Sequence, residues 1–64
     1  MSTRERIIEV SLELFAKRGF SGTSVRDIAK VVGVRESALY KHFMNKQDIL
    51  DKIILEMQER ILWK

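Results

Sequence analysis

Five cations, Arg26, Lys30, Arg35, Lys41 and Lys46, fall within residues 23–46 against only Asp27 and Glu36, so this stretch carries a net charge of +3. The flanks differ: residues 1–22 carry +1 and residues 47–64 carry −1. The positive excess is concentrated in the middle third, where it can oppose phosphates over a small area. Charge alone does not define a site, because solvated helix faces often show the same imbalance. Other chemistries are poorly served. The chain has no cysteine for a disulfide framework or a thiolate metal site, and its single histidine, His42, cannot make a cluster. A lone histidine, no cysteine, no glycine-rich phosphate loop and no room for a pocket leave an enzyme nothing to arrange. Catalytic residues, metal ligands and cofactors are therefore expected to be absent.

The elements that must position these cations are helices. Sixty-four residues allow one domain, near the lower size limit at which a core alone holds a fold together. No run approaches the roughly eighteen apolar residues of a spanning helix, and the start MSTRERIIEV lacks a signal-peptide pattern. A soluble cytoplasmic protein with no membrane partner is expected. Ser2 and Glu5 have capping-box spacing, Ile7, Ile8, Ser11, Leu14 and Phe15 recur at helical spacing, and Lys17-Arg18-Gly19 reads as a helix end closed by a left-handed glycine. After the connection Phe20-Ser21-Gly22-Thr23, Ser24 and Asp27 repeat the cap spacing, and Val25, Ile28, Ala29 and Val32 form one apolar stripe that Gly33 stops. A third short helix is expected from about Glu36 to His42, with Val34 docked on the core and Leu39 facing inward. Asn45 and Asp48 then cap a long fourth helix lined by Ile49, Leu50, Ile53, Ile54, Met57 and Ile61. The fold class is all-α, a small bundle of three helices plus the start of a long fourth, with no strand.

Helices two and three make a unit of about twenty residues, short helix, glycine-containing turn, short helix, which is the helix-turn-helix of DNA-binding domains. It spans about residues 24–43. Small Ala29 suits the place where two helices cross closely, and Gly33 suits a turn that requires positive φ. Val25, Ile28, Val34 and Leu39 fix the angle between the helices, and what remains pointing outward is polar and basic.

The stretch GFSGTSVRDIAKVVGVRESALYKHFMNKQDIL closely resembles the N-terminal domain of the tetracycline-repressor (TetR) family of transcriptional regulators. The shared pattern is an aromatic after a helix-ending glycine, Thr-Ser-Val opening helix two, Ile-Ala, Gly-Val, Leu-Tyr-x-His-Phe, and a lysine opening helix four. Gln47 stands where the family usually has an acid. The resemblance runs from Ile7 to about Met57 and implies a homeodomain-like fold with helix three in the major groove. It also implies phosphate contacts from Thr23, Ser24, Tyr40, His42 and Lys46, and base contacts from Arg26, Arg35, Glu36, Ser37 and Lys41. Many members carry Ser-Lys-Gly where this chain has Arg35-Glu36-Ser37. An arginine there suits guanine, and a glutamate either accepts from a cytosine amino group or rejects wrong sites by repulsion. Family members continue into a larger helical domain, expected to be absent here, that binds a small-molecule inducer and makes the homodimer. The implied partner is double-stranded DNA with a palindromic operator, in a bacterial or archaeal cytoplasm and associated with the nucleoid.

Several side chains have plainer roles. Leu39, Phe43, Phe15 and Phe20 are expected in the core. Arg4, Arg6, Lys17, Arg18 and Lys30 read as solvated, with Arg4 or Arg6 within reach of a nucleic-acid backbone. Lys52 and Arg60 are expected to pair with acids such as Glu56. His42 also reads as a cation at a helix C-terminus. The alternative to a DNA reader is a helical protein–protein interaction module that uses the apolar surface of helix four, continuing through Ile61, Leu62 and Trp63.

Overall fold

The computed structural model describes residues 2–62, with side chains through Gln58, so the apolar end at Ile61, Leu62 and Trp63 and the pairing of Arg60 lie outside the described side chains. The described residues form α1 (Thr3–Arg18), α2 (Val25–Val32), α3 (Glu36–Tyr40) and α4 (Lys46–Leu62), with no strand among them. α1 packs against both α2 and α4, and α2 packs against α3.

Three of the four helices begin at a residue whose side chain caps them, α3 being the exception. Ser2 Oγ accepts the Glu5 N–H at 3.1 Å. At α2 the box is reciprocal: Ser24 Oγ accepts the Asp27 N–H at 3.0 Å, and the Asp27 carboxylate accepts the Ser24 N–H at 3.1 Å. At α4 the Asn45 side-chain oxygen accepts the Asp48 N–H at 2.8 Å, while the Asp48 carboxylate accepts the Met44 N–H at 2.9 Å. Donors that a helix start would otherwise leave unpaired are thus satisfied locally, each cap adding about 1 kcal/mol.

The core takes Ile7, Val10 and Leu14 from α1, Ile28, Ala29 and Val32 from α2, Leu39 from α3, Phe43 from the following turn, and Ile49 and Ile53 from α4. Each fully buried aliphatic side chain contributes roughly 1.5–3 kcal/mol of transfer free energy. Ile8, Phe15, Val25 and Val34 pack around this cluster, half-buried. Phe15 and Phe20 are rim residues rather than core. Their rings meet each other at a centroid distance of 5.3 Å and an angle of 52°.

Two glycines differ in kind. Gly33 ends α2 at φ 89°, ψ 31°, the left-handed conformation that turns the chain into α3, and its N–H donates to the Ala29 carbonyl at 2.8 Å. Gly19 has φ 79° but ψ 162°, so α1 ends in an extended positive-φ conformation and not the left-handed cap expected. Its N–H still closes on the Phe15 carbonyl at 2.9 Å.

α3 is shorter than the sequence suggests. It ends at Tyr40, and Lys41 rather than His42 is its C-cap. The His42 and Phe43 N–H groups both donate to the Leu39 carbonyl at 3.0 Å, which tightens the chain and turns Phe43 into the core.

Candidate nucleic-acid interface

The α2–turn–α3 unit leaves Arg35, Ser37, Tyr40, Lys41 and His42 exposed, while Leu39 and Phe43, interleaved with them, are buried. Leu39 and Phe43 therefore hold the segment down while its other side faces outward. Tyr40 is 52 % exposed, so its phenol is free to reach beyond the domain surface.

Lys46 is fixed more tightly than a surface lysine. Its ammonium donates to the Phe20 carbonyl at 2.6 Å and lies 4.1 Å from the centroid of the Phe20 ring. The same carbonyl accepts the Thr23 N–H at 3.3 Å, so the first residue of α4 is tied to the loop that leads into α2. An ammonium carries three donors, and those not directed at Phe20 remain for an anion. Charge from α4 is thereby placed beside the start of α2, where Ser24 is exposed.

Thr23 requires a correction. Its side chain is 1 % exposed, and its hydroxyl lies 2.9 Å from the Gly19 carbonyl and 3.3 Å from the Leu14 carbonyl. The hydroxyl donates back into the C-terminal end of α1, with the Gly19 carbonyl the nearer acceptor, and is not presented to a phosphate. The Thr-Ser pair that looked like two anion ligands is one internal clamp and one exposed cap.

Arg26 and Glu36, both expected to face bases, are brought together. Arg26 Nε donates to Glu36 Oε1 at 3.0 Å, joining the first turn of α2 to the first residue of α3. The Arg26 side chain is nevertheless 80 % exposed.

Other cations are engaged inside the domain. Arg4, read as solvated, pairs with Glu56 at 3.3 Å, and its guanidinium carbon lies 5.8 Å from the Phe43 ring centroid. Arg6 Nε reaches the Val32 carbonyl at 3.5 Å, and Arg18 lies 3.8 Å from Asp27. Lys52 pairs with a neighbouring acid as expected, Asp48 one turn back on α4 at 2.9 Å, while Glu56, one turn ahead, is held by Arg4.

Both cap carboxylates titrate below the usual aspartate value. For Asp27 the Ser24 N–H is the largest cause, followed by the Ser24 side chain, with Arg18 and Lys30 adding smaller effects. For Asp48 the Met44 N–H comes first and Lys52 second. Each carboxylate stays ionised while structuring a helix start next to the basic surface.

Three contributors escaped the sequence reading. Phe20 supplies both carbonyl and ring to Lys46, a role signalled only by an aromatic next to a helix-ending glycine. A Cβ on Gly22 would lie 2.4 Å from the Arg18 carbonyl oxygen, so glycine is needed for the loop to pass the end of α1. Met44 is 81 % exposed between His42 and Lys46, an apolar side chain with no stripe to join.

A core drawn from four helices, a left-handed glycine turn and a short helix flanked by the exposed cations Arg35 and Lys41 have the form of a helix-turn-helix DNA-binding domain. Residues 7–53 match the model of the bacterial regulatory proteins of the tetR family, and the chain belongs to that family. It is 45 % identical over 51 residues to the transcriptional regulator AcrR of Shigella flexneri, which covers 80 % of this chain and 24 % of AcrR. The transcriptional regulator UidR of Escherichia coli K12 is 38 % identical over 60 residues, 94 % of this chain and 31 % of UidR. In structure it matches a transcriptional regulator from Aquifex aeolicus VF5 with a TM-score of 0.93 at 41 % identity, over 95 % of this chain and 36 % of that one. The Mycobacterium tuberculosis repressor KstR2 is 38 % identical over 53 residues, 83 % of this chain and 26 % of the repressor. The chain thus spans between about a quarter and about a third of the length of these relatives.

Proposed function

We propose that this chain is the duplex-DNA reading head of a repressor. α3 enters the major groove, and α2 lies across the backbone. Ser24, Tyr40, His42 and Lys46 hold phosphates, while Arg26, Arg35, Ser37 and Lys41 face the bases, with Glu36 among them. In the intact protein a second, helical domain pairs two such heads on a palindromic operator and takes a small-molecule inducer. We assign the chain no catalytic role.

The observation that carries this reading is Lys46, tied at 2.6 Å to the Phe20 carbonyl in the loop that leads into α2, together with the exposed cations Arg35 and Lys41 that flank α3. The KstR2 relative, named a repressor, supports the direction of regulation. The exposed apolar residues of α4, Ile54, Leu55 and Met57, support contact with another helical surface, which a reading head attached to a second domain also needs.

Fluorescence anisotropy on a random-sequence duplex tests it. The association constant should fall steeply as salt rises, and Lys46→Ala should weaken all duplexes alike and make the log–log salt slope shallower by about 0.9. A folded, helical chain that binds no duplex at low salt, or binds one without salt dependence, would overturn the reading.

A further inference from the structure

Building on that reading, we propose that Glu36 is a positioning residue for specificity, one that orients Arg26 for guanine instead of reading a base itself. Arginine recognises guanine by presenting two donors in a plane to O6 and N7, so its value depends on where the fork points. A long exposed arginine at the edge of a groove samples many rotamers and as readily meets a phosphate. Here the Nε edge is occupied: Glu36 Oε1 accepts from it at 3.0 Å. The guanidinium keeps its two terminal amino groups, and the side chain is 80 % exposed. One carboxylate bond thus restricts the fork while leaving the guanine-binding edge outward.

The position of Glu36 makes this possible. As the first residue of α3, its backbone is fixed by the Gly33 turn and by the half-buried Val34 and the buried Leu39 on either side. It bridges back to α2 across ten residues of chain, so the two helices present Arg26 as one surface. A carboxylate near phosphates lowers affinity for every duplex. Pairing it with Arg26 limits that loss and leaves the pair near neutral, so Arg26 adds little non-specific attraction. Glu36 therefore trades general affinity for a fixed reader.

The two roles separate in a substitution series on the 64-residue chain. Selection from random duplexes, followed by low-salt competition titrations, should reveal a guanine whose replacement weakens binding about tenfold, and Arg26→Ala should abolish that preference. Glu36→Ala should bind all duplexes more tightly yet reduce the same preference to threefold or less. Glu36→Gln should also bind more tightly but keep the tenfold preference, because the amide oxygen still accepts from Nε. Circular dichroism checks that each variant is folded, as expected for an exposed pair of small stabilising value. The proposal is overturned if Glu36→Ala keeps the guanine preference, or if Glu36→Gln loses as much as Glu36→Ala, which would make charge the determinant. If the parent discriminates bases but Arg26→Ala alters none, this inference fails and the DNA-binding reading stands. If the parent binds no duplex, both fail.

Discussion

A hydroxyl in front of a helix can satisfy its own backbone or be offered outward, and the neighbours Thr23 and Ser24 divide these uses. Thr23 binds the carbonyls of Gly19 and Leu14 from a buried position, while Ser24 caps α2 at the surface. Thr23→Val, which keeps the shape and deletes the donor, should destabilise the fold by about 1–2 kcal/mol, because the Gly19 carbonyl loses the hydroxyl that lies 2.9 Å from it in a buried site. Urea denaturation would measure the loss. Anisotropy on the folded fraction should show an unchanged salt slope, and a shallower one would return Thr23 to the phosphate contacts. Ser11 is the opposite case. It is fully buried, and its Oγ is the one buried side-chain polar atom without a hydrogen-bond partner among the described residues. Ser11→Ala removes an unpaired hydroxyl and improves helix propensity, so it should stabilise by about 1 kcal/mol, raising the melting temperature by roughly 4–8 °C.

Cap chemistry sets the starts of α2 and α4, and it predicts how these elements respond to acid. Asp27 and Asp48 both have folded pKa values below the ordinary 3.8. Below that value the unfolded chain binds more protons than the folded one, so stability rises with pH there. The contribution is fully present above the unfolded value and is lost as pH falls through the folded values. Helical circular dichroism should therefore melt at a constant temperature from neutral pH down to about 5 and at falling temperatures below about 4. An Asp27→Asn, Asp48→Asn double variant should be less stable near neutrality and show a smaller acid decline; an unchanged decline would place the effect in other carboxylates. The starts of these helices were legible because a cap and its partner lie three residues apart in the chain. The end of α3 was not, because neither glycine nor proline marks it: the demand to bury Phe43 beside Leu39 tightens the backbone after Tyr40. Apolar periodicity likewise identified Ile7, Ile28, Leu39 and Ile49, whereas the partner of Arg4 lies 52 residues away at Glu56 and belongs to packing alone. Chain pattern also placed Arg35 and Lys41 outward but missed Phe20, since its grip on Lys46 is created only when α4 folds back against the α1–α2 loop.

Across the molecule, the exposed cations Arg35 and Lys41 flank α3, and α4 carries an apolar strip where Ile54, Leu55 and Met57 are exposed just past the buried Ile53. AcrR and UidR are about three times as long, and a palindromic site needs two heads held about one helical turn apart. A single head has only its own half-site contacts and must meet the whole rotational and translational cost of binding for each one. Joining two copies turns the second encounter into an intramolecular one, and effective concentrations in the millimolar range multiply affinity by about 10²–10⁴ without any new contact, provided the spacing fits. We therefore expect the 64-residue chain to bind a selected duplex weakly, and a fusion of the chain to a two-stranded coiled coil to bind a two-half-site duplex at least a hundredfold more tightly. The gain should vanish when the half-sites are moved by half a helical turn, because the heads would then face opposite sides of the duplex. Anisotropy titrations over a series of half-site spacings would measure it. A gain independent of spacing would mean that the fusion adds only charge, and that α3 does not read a groove in fixed register.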